Sequence, residues 1–204
     1  MNAGVPPVGL LLAAGRGLRY DPQERALKLL APTPRGPHAG LPLASAAARA
    51  LRAVLPAVVA VVRAADSPQQ RQLHALLRAD GCRLVVNTDA DAGIGTSIAA
   101  GVRATPAACG WLIALADMPA VASATIAAVA QALVGGAVSA APVHGGQRGH
   151  PVGFAAVTRE ALLALHGDEG ARRVLAAHPP QLIVVDDPGC LLDLDQRADF
   201  GPPS

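Results

Sequence analysis

Aromatic side chains are nearly absent: the 204 residues include one Trp, one Tyr and two Phe. The interior must therefore be built from Ala, Val and Leu. Charge is also scarce, at 16% of residues, and nearly balanced, with 17 basic against 15 acidic side chains. No run of five basic residues occurs, so the chain lacks the electrostatic footprint of a nucleic-acid binder. The three cysteines, Cys82, Cys109 and Cys190, are far apart and without C-x-x-C spacing. That excludes a disulfide framework and reads as small buried hydrophobes in a reducing compartment. The opening MNAGVPPVGLLLAAG has no basic segment, carries two prolines and is too short in apolar length to cross a bilayer. A cytoplasmic protein with no membrane association is expected. Lysine is the most unusual scarcity: Lys28 stands alone among sixteen arginines.

A hydrophobic content of 51% excludes a disordered chain, and no repeat or linker divides it, so one α/β domain over 1–204 is expected. Apolar runs of strand length alternate with Ala-rich stretches of helical length. Val8–Ala13, Ala57–Arg63, Arg83–Val86 and Trp111–Ala116 read as strands apolar on both faces, apart from the terminal Arg63 and Arg83. Between them lie helices over Leu41–Leu55, from the cap Ser67 with Pro68 to Gly81, over Thr96–Arg103, and from the cap Ser123 to Gly135. Strands apolar on both faces imply a mainly parallel sheet with helices on both faces. Val138–Ala141 and HPVGFA then read as a strand pair around a glycine-rich turn. Two helical segments, Gln181–Val185 and LLDLDQRADF follow.

Ligands of open parallel sheets sit beyond the carboxyl ends of the strands, which selects the loops after Ala13, Val86 and Ala116. In the first, AAGRGLR, Gly15 and Gly17 let the backbone approach an anion, and Arg16 and Arg19 add fixed charge. A plain turn with solvated arginines is the alternative. The dinucleotide fingerprint is incomplete, since Gly15-Arg16-Gly17 leads to Tyr20-Asp21-Pro22 and the second strand ends in Arg63 rather than an acid. Lys28 keeps a compact ammonium where the composition otherwise supplies arginine, as a tight phosphate pocket requires; chance retention is the rival. Asp117 leaves a wholly apolar strand and precedes Met-Pro, the place for a hard cation held against a phosphate, or for a turn-forming Asp. Asp193 and Asp195 share a face if LLDLD is extended, and either is a second carboxylate or part of an Asx-turn.

In order, LAAGRGLR, Lys28 in ALKLLAP, GIGTSIAAGV, LADMP, RGHPVGF and LLDLDQRADF resemble the molybdenum-cofactor nucleotidyltransferases, over Val8 to about Phe200. The resemblance is to the cytidylyltransferase branch, a relative of the guanylyltransferases. It implies a Rossmann-like nucleotidyltransferase fold and transfer of a nucleoside monophosphate to a phosphate-bearing pterin, with Mg²⁺ and release of pyrophosphate. Carried onto this chain, it places Ala13, Ala14, Gly15, Arg16 and Gly17 around the nucleotide, with Arg16, Arg19 and Lys28 on the triphosphate. Gly95, Thr96 and Ser97 lie against base and ribose, Asp117 is the principal metal ligand and Asp195 the second. His150, Pro151, Asp168 and Arg172 shape the acceptor side. LAAG, where the guanylyl branch has LAGG, implies CTP over GTP and a molybdopterin-type acceptor, with a molybdoenzyme or its chaperone as a further partner. Other phosphorylated acceptors, such as a sugar phosphate or methylerythritol phosphate, and a silent nucleotide-binding chaperone are the rival readings. In place of the family's R-M-G, the first loop runs Arg19-Tyr20-Asp21.

Overall fold

The computed structural model describes residues 5–196, apart from 18, 24, 25 and 35, together with Asp199. Leu18, Arg197, Ala198 and Phe200 of the quoted motifs lie outside the described residues. Among the described residues, eight strands form one sheet: β1 (Val8–Ala13), β2 (Val58–Val62), β3 (Arg83–Val86), β4 (Gly110–Leu115), β5 (Ser139–His144), β6 (Gln147–Arg148), β7 (Val152–Ala155) and β8 (Gln181–Val184). Their order is β3-β2-β1-β4-β7-β5-β6, with β8 paired to β5. Pairing is parallel among β3, β2, β1 and β4, and again between β5 and β8. Around β7 and in the β5–β6 hairpin it is antiparallel. The sheet is thus mixed but mostly parallel, as the apolar runs predict.

Among the described residues, six α-helices cover it: α1 (Leu43–Arg52), α2 (Pro68–Ala79), α3 (Ile94–Arg103), α4 (Ser123–Val134), α5 (Arg159–Leu163) and α6 (Arg172–Ala177). The alternation of strand side chains divides the interior into two layers. Leu11, Ala13, Val58, Ala60 and Val62 face α1, α2 and α4, while Leu10, Leu12, Val59 and Val61 face α3, α5 and α6. Small side chains let the helices come close. In α1, Ala44, Ala46, Ala47, Ala48 and Ala50 are all buried. In α3 a Cβ at Gly101 would stand 3.0 Å from Leu10 and 3.1 Å from Val61. The single Trp, Trp111, is fully buried and its indole N–H donates to Thr105 Oγ1 at 2.8 Å, as a buried polar tip requires.

Two local expectations change. The helix predicted over Leu41–Leu55 is shorter, because Pro42 is extended and begins it only at Leu43. Ser67 caps α2 as predicted, accepting from the Gln70 N–H at 3.1 Å, but Ser123 does not cap α4. Ala122 is the cap residue of α4, and the acceptor comes from 65 residues away. The Asp187 carboxylate, itself buried, takes the Ala122 N–H at 2.9 Å and the Thr125 hydroxyl at 2.6 Å. Around LLDLD, a 3-10 turn over Pro188–Leu191 leads into extended backbone at Leu192, and 192–195 pair with no strand among the described residues.

Candidate active site

Four parallel strands end along one rim of the sheet, and the residues after each line a cleft of about 730 Å³. After β1, Ala14, Gly15, Arg16 and Gly17 form one wall. Gly17 has φ +69° and a Cβ there would meet Lys28 Cβ at 3.1 Å, so glycine is what lets this loop close over the lysine. The Gly17 carbonyl accepts from the Tyr20 and Asp21 N–H groups. Asp21, buried, then takes the N–H groups of Gln23 and Ala26 and folds the longer connection back to Lys28.

Lys28 begins a 3-10 turn and is 6% exposed. Its Nζ donates to Asp117 Oδ2 at 2.7 Å and to Asp195 Oδ1 at 2.6 Å. The more exposed Arg19 donates to Asp195 Oδ2 at 2.7 Å. Burial works against the Lys28 charge, but the Asp117 carboxylate, aided by Asp195, outweighs it and raises the ammonium above the ordinary lysine range. The hydrogen bond from Lys28 likewise holds the Asp195 carboxyl below the usual carboxylate range, with Arg19 assisting against partial burial. Asp195 reaches the rim because the Leu194 N–H donates to the Asp117 carbonyl at 3.0 Å.

Across the cleft a second ionic group holds the glycine loop. Arg16 donates through Nε and Nη2 to the two oxygens of Asp91, both at 2.8 Å. Arg63, leaving β2, donates to Asp91 Oδ1 at 2.6 Å and to the Ala14 carbonyl at 2.7 Å. Hydrogen bonds from Arg16 and Arg63 hold the Asp91 carboxyl well below the usual range. After β3, buried Asn87 donates to Thr96 Oγ1 at 2.9 Å and Ser97 Oγ at 3.0 Å, fixing the start of α3. Of the five GIGTS residues, Gly93, Ile94 and Ser97 line the cleft. Gly95 and Thr96 do not. The Gly95 N–H donates to the Gly167 carbonyl at 2.9 Å, and the Thr96 hydroxyl lies 2.8 Å from the Gly93 carbonyl.

A second hollow of about 280 Å³ adjoins the first and shares Leu12, Ile94, Leu115 and Asp168 with it. Arg148, His150, Glu169 and Arg172 supply its polar wall. His150 is largely buried, and its Nδ1 has no hydrogen-bond partner among the described residues. Burial pushes the imidazole below the ordinary histidine range, against the pull of Asp117. Pro151 is not on this wall; with His150 it borders a small void toward Met118 and Ile126.

Sequence reasoning thus names residues that the fold brings together at one rim: Ala14 to Gly17, Arg19, Lys28, Ser97, Asp117 and Asp195, with His150, Asp168 and Arg172 next door. It misses Arg63, Asn87 and Asp91. The strand-end rule selects the loop that carries Asn87 and Asp91, but nothing in NTDADAG marks which polar residue turns inward. Among the described residues no group of three acidic, His or Cys side chains forms a ready-made metal cage. Two carboxylates at one point suit a cation that keeps several waters and shares substrate phosphates. No helix among the described residues is long and apolar enough to cross a membrane.

The fold is shared with known proteins. No curated protein sequence matches the chain. Among solved structures, Rv0371c from Mycobacterium tuberculosis H37Rv is 25% identical, with 97% of this chain and 96% of that one covered and a TM-score of 0.77. That protein has also been solved as a complex with manganese. Mth528, a nucleotidyl transferase from Methanothermobacter, is 21% identical over 97% and 95% of the two chains, with a TM-score of 0.76. The molybdopterin-guanine dinucleotide biosynthesis protein A of Archaeoglobus fulgidus shares the fold at 16% identity, 95% and 93% coverage and a TM-score of 0.65. The MobA-like NTP transferase domain matches residues 9–182, nearly the whole span from β1 to β8, and the chain therefore belongs to that family and is a nucleotidyltransferase.

Proposed function

We propose that the protein transfers CMP from CTP to a phosphate-bearing acceptor of the molybdopterin type and releases pyrophosphate. The observation that carries this reading is the junction of the two hollows, with Lys28 and Asp117 on the nucleotide side and His150, Arg148 and Arg172 on the other. An oxygen of the acceptor phosphate attacks the α-phosphorus, a new P–O bond forms, and the bond from the α-phosphorus to the bridging oxygen breaks. The nucleophile is already ionised at neutral pH, so no general base is required. Repulsion between anions is the main obstacle, and positioning with charge neutralisation is the remedy.

Lys28 and Arg19 take up charge on departing pyrophosphate in this reading. Arg16 joins them by exchanging Asp91 for a phosphate. The Asp117 and Asp195 carboxylates fit Mg²⁺ in hardness, and a metal bound there supplies further charge neutralisation between the reacting phosphates. Arg148 and Arg172 meet the acceptor phosphate, and neutral His150 offers a hydrogen bond without adding charge. Ala14 carries a Cβ on the cleft wall where a glycine would leave a wider gap, which favours a pyrimidine over a purine. One methyl group gives about 1–3 kcal/mol of selectivity, so some use of GTP is expected.

The test is a screen of CTP, GTP, ATP and UTP with molybdopterin, with and without Mg²⁺, with product dinucleotides separated by mass. Metal-dependent cytosine dinucleotide is the expected product, and Asp117→Asn should nearly abolish it. Predominant guanine dinucleotide would overturn the donor, and nucleotide binding without turnover on any phosphorylated acceptor would overturn the transferase reading of this site.

A further inference from the structure

We propose that Lys28 is the resident counter-ion of the Asp117–Asp195 pair, and that a divalent cation reaches those carboxylates only together with a nucleoside triphosphate that draws the ammonium away. The proposal rests on the assignment of Asp117 and Asp195 as the metal-binding pair, and concerns how that pair is guarded.

Three features support it. First, the ammonium lies between the two carboxylates, 2.7 Å from Asp117 and 2.6 Å from Asp195, which is where a bridging cation must go. Two cations cannot share that place. Second, the charges already cancel. Lys28 and Arg19 carry two positive charges, Asp117 and Asp195 two negative ones, within one set of direct contacts. A divalent ion arriving alone leaves the group with two uncompensated positive charges in a partly buried place, where repulsion is weakly screened. A metal arriving with a triphosphate brings its own compensation and offers Lys28 a new anion. Third, the lysine stem is anchored while its tip is not committed to a backbone group. Gly17 lies against Lys28 Cβ, and the wall formed by Gly15 to Gly17 is where phosphates are expected, so a rotation about the outer side-chain bonds carries Nζ from carboxylates to phosphate.

The two carboxylates are guarded unequally. Asp195 has both oxygens engaged, one by Lys28 and one by Arg19, whereas Asp117 meets Lys28 through Oδ2 only. Departure of Lys28 therefore frees Asp117 completely and Asp195 partly. By reciprocity, nucleotide then tightens metal by the same factor as metal tightens nucleotide, and Lys28 carries most of that coupling.

The experiment is Mn²⁺ titration of the full chain, followed by the EPR signal of free Mn²⁺, with and without α,β-methylene-CTP and with no acceptor. Wild type is expected to bind Mn²⁺ about 10- to 100-fold more tightly with the nucleotide analogue than without it. Lys28→Met, which keeps the stem and removes the charge, is expected to bind Mn²⁺ alone at least about tenfold more tightly than wild type, with the nucleotide effect reduced to about threefold or less. Equal affinity of wild type and Lys28→Met for Mn²⁺ alone overturns the proposal. So does nucleotide-free wild type that binds as tightly as the nucleotide complex, a measurement that needs no variant. If Asp117→Asn leaves Mn²⁺ binding to the nucleotide complex intact, the metal assignment itself falls, and this proposal with it. If that substitution removes the binding but Lys28→Met changes nothing, only the guard is refuted.

Discussion

Arg63→Ala tests whether the glycine loop is held in place from outside. The Arg63 guanidinium donates to the Ala14 carbonyl at 2.7 Å and to Asp91 at 2.6 Å, so its removal breaks two contacts of different worth. The Asp91 side chain is 60% exposed, and an ion pair so open to solvent contributes close to nothing on its own. The bond to Ala14 is the consequential one. A charged donor on a buried backbone carbonyl is worth about 1.5–3 kcal/mol. At roughly 1.4 kcal/mol per decade, a loop that must be re-formed on binding loses about 10- to 100-fold in kcat/KM for the nucleotide. The loss should fall on KM, since Arg63 orders the loop before the nucleotide arrives and touches no reacting atom. The assay is steady-state kinetics with the acceptor saturating, alongside direct nucleotide titration. Arg63→Lys retains a positive charge but cannot reach both partners, and should behave nearly as poorly as alanine. A folded Arg63→Ala protein with KM within twofold of wild type would refute the reasoning, and leave Asp91 and Arg16 to hold the loop unaided.

Lys28→Arg should lose nearly as much kcat/KM as Lys28→Ala, at least about 100-fold, because Lys28 is buried against Gly17 and a planar fork does not fit between the two carboxylates; full activity in the arginine variant would show that charge alone matters. Asp187→Ala should lower stability by about 2–4 kcal/mol, measured by urea denaturation, because it strands the Ala122 N–H, the Thr125 hydroxyl and the Gly189 N–H together. His150 gives a pH dependence. Its folded-state pKa is lowered by burial, so the folded state resists the proton that the unfolded state accepts. Stability from this group is therefore present above the unfolded value of about 6.5 and falls as pH drops below it. Denaturation midpoints measured from pH 7.5 to 5 should decline in wild type and flatten in His150→Gln; parallel declines would contradict the assignment.

The sheet is legible because its strands are apolar on both faces, which leaves little choice but a covered parallel arrangement. Val8–Ala13 and Arg83–Val86 have the bounds that the sequence predicts. Lys28 and Asp117 are legible for a different reason, since each breaks its surroundings, one as the only lysine and the other as a charge at the end of an apolar strand. Asp187 is illegible. Its role is a cap for a helix that begins 64 residues earlier, and no local pattern connects it with Ala122. Asn87, Arg63 and Asp91 fail for the same reason: their chemistry is ordinary, and only the parallel register of β1, β2 and β3 makes them neighbours. Asp195 is legible only as one of two carboxylates in LLDLD, because the segment is held through tertiary bonds, from Leu194 to Asp117 and from Lys28 to Asp195, that no local pattern announces.

That strap from Leu194 to Asp117 matters while the chain is being made. By the time residue 117 has left the ribosome, the glycine loop, Arg63, Asp91, Lys28 and the first carboxylate have all been synthesised, yet Asp195 lies 78 residues further on. A ribosome adding about 5–20 residues per second needs several seconds to supply it. During that interval Lys28 has a single carboxylate to answer it and Arg19 has not yet met Asp195. A chain not yet extended to Asp195 thus has two cations, Lys28 and Arg19, facing one carboxylate, and the arrival of Asp195 brings that group to balance.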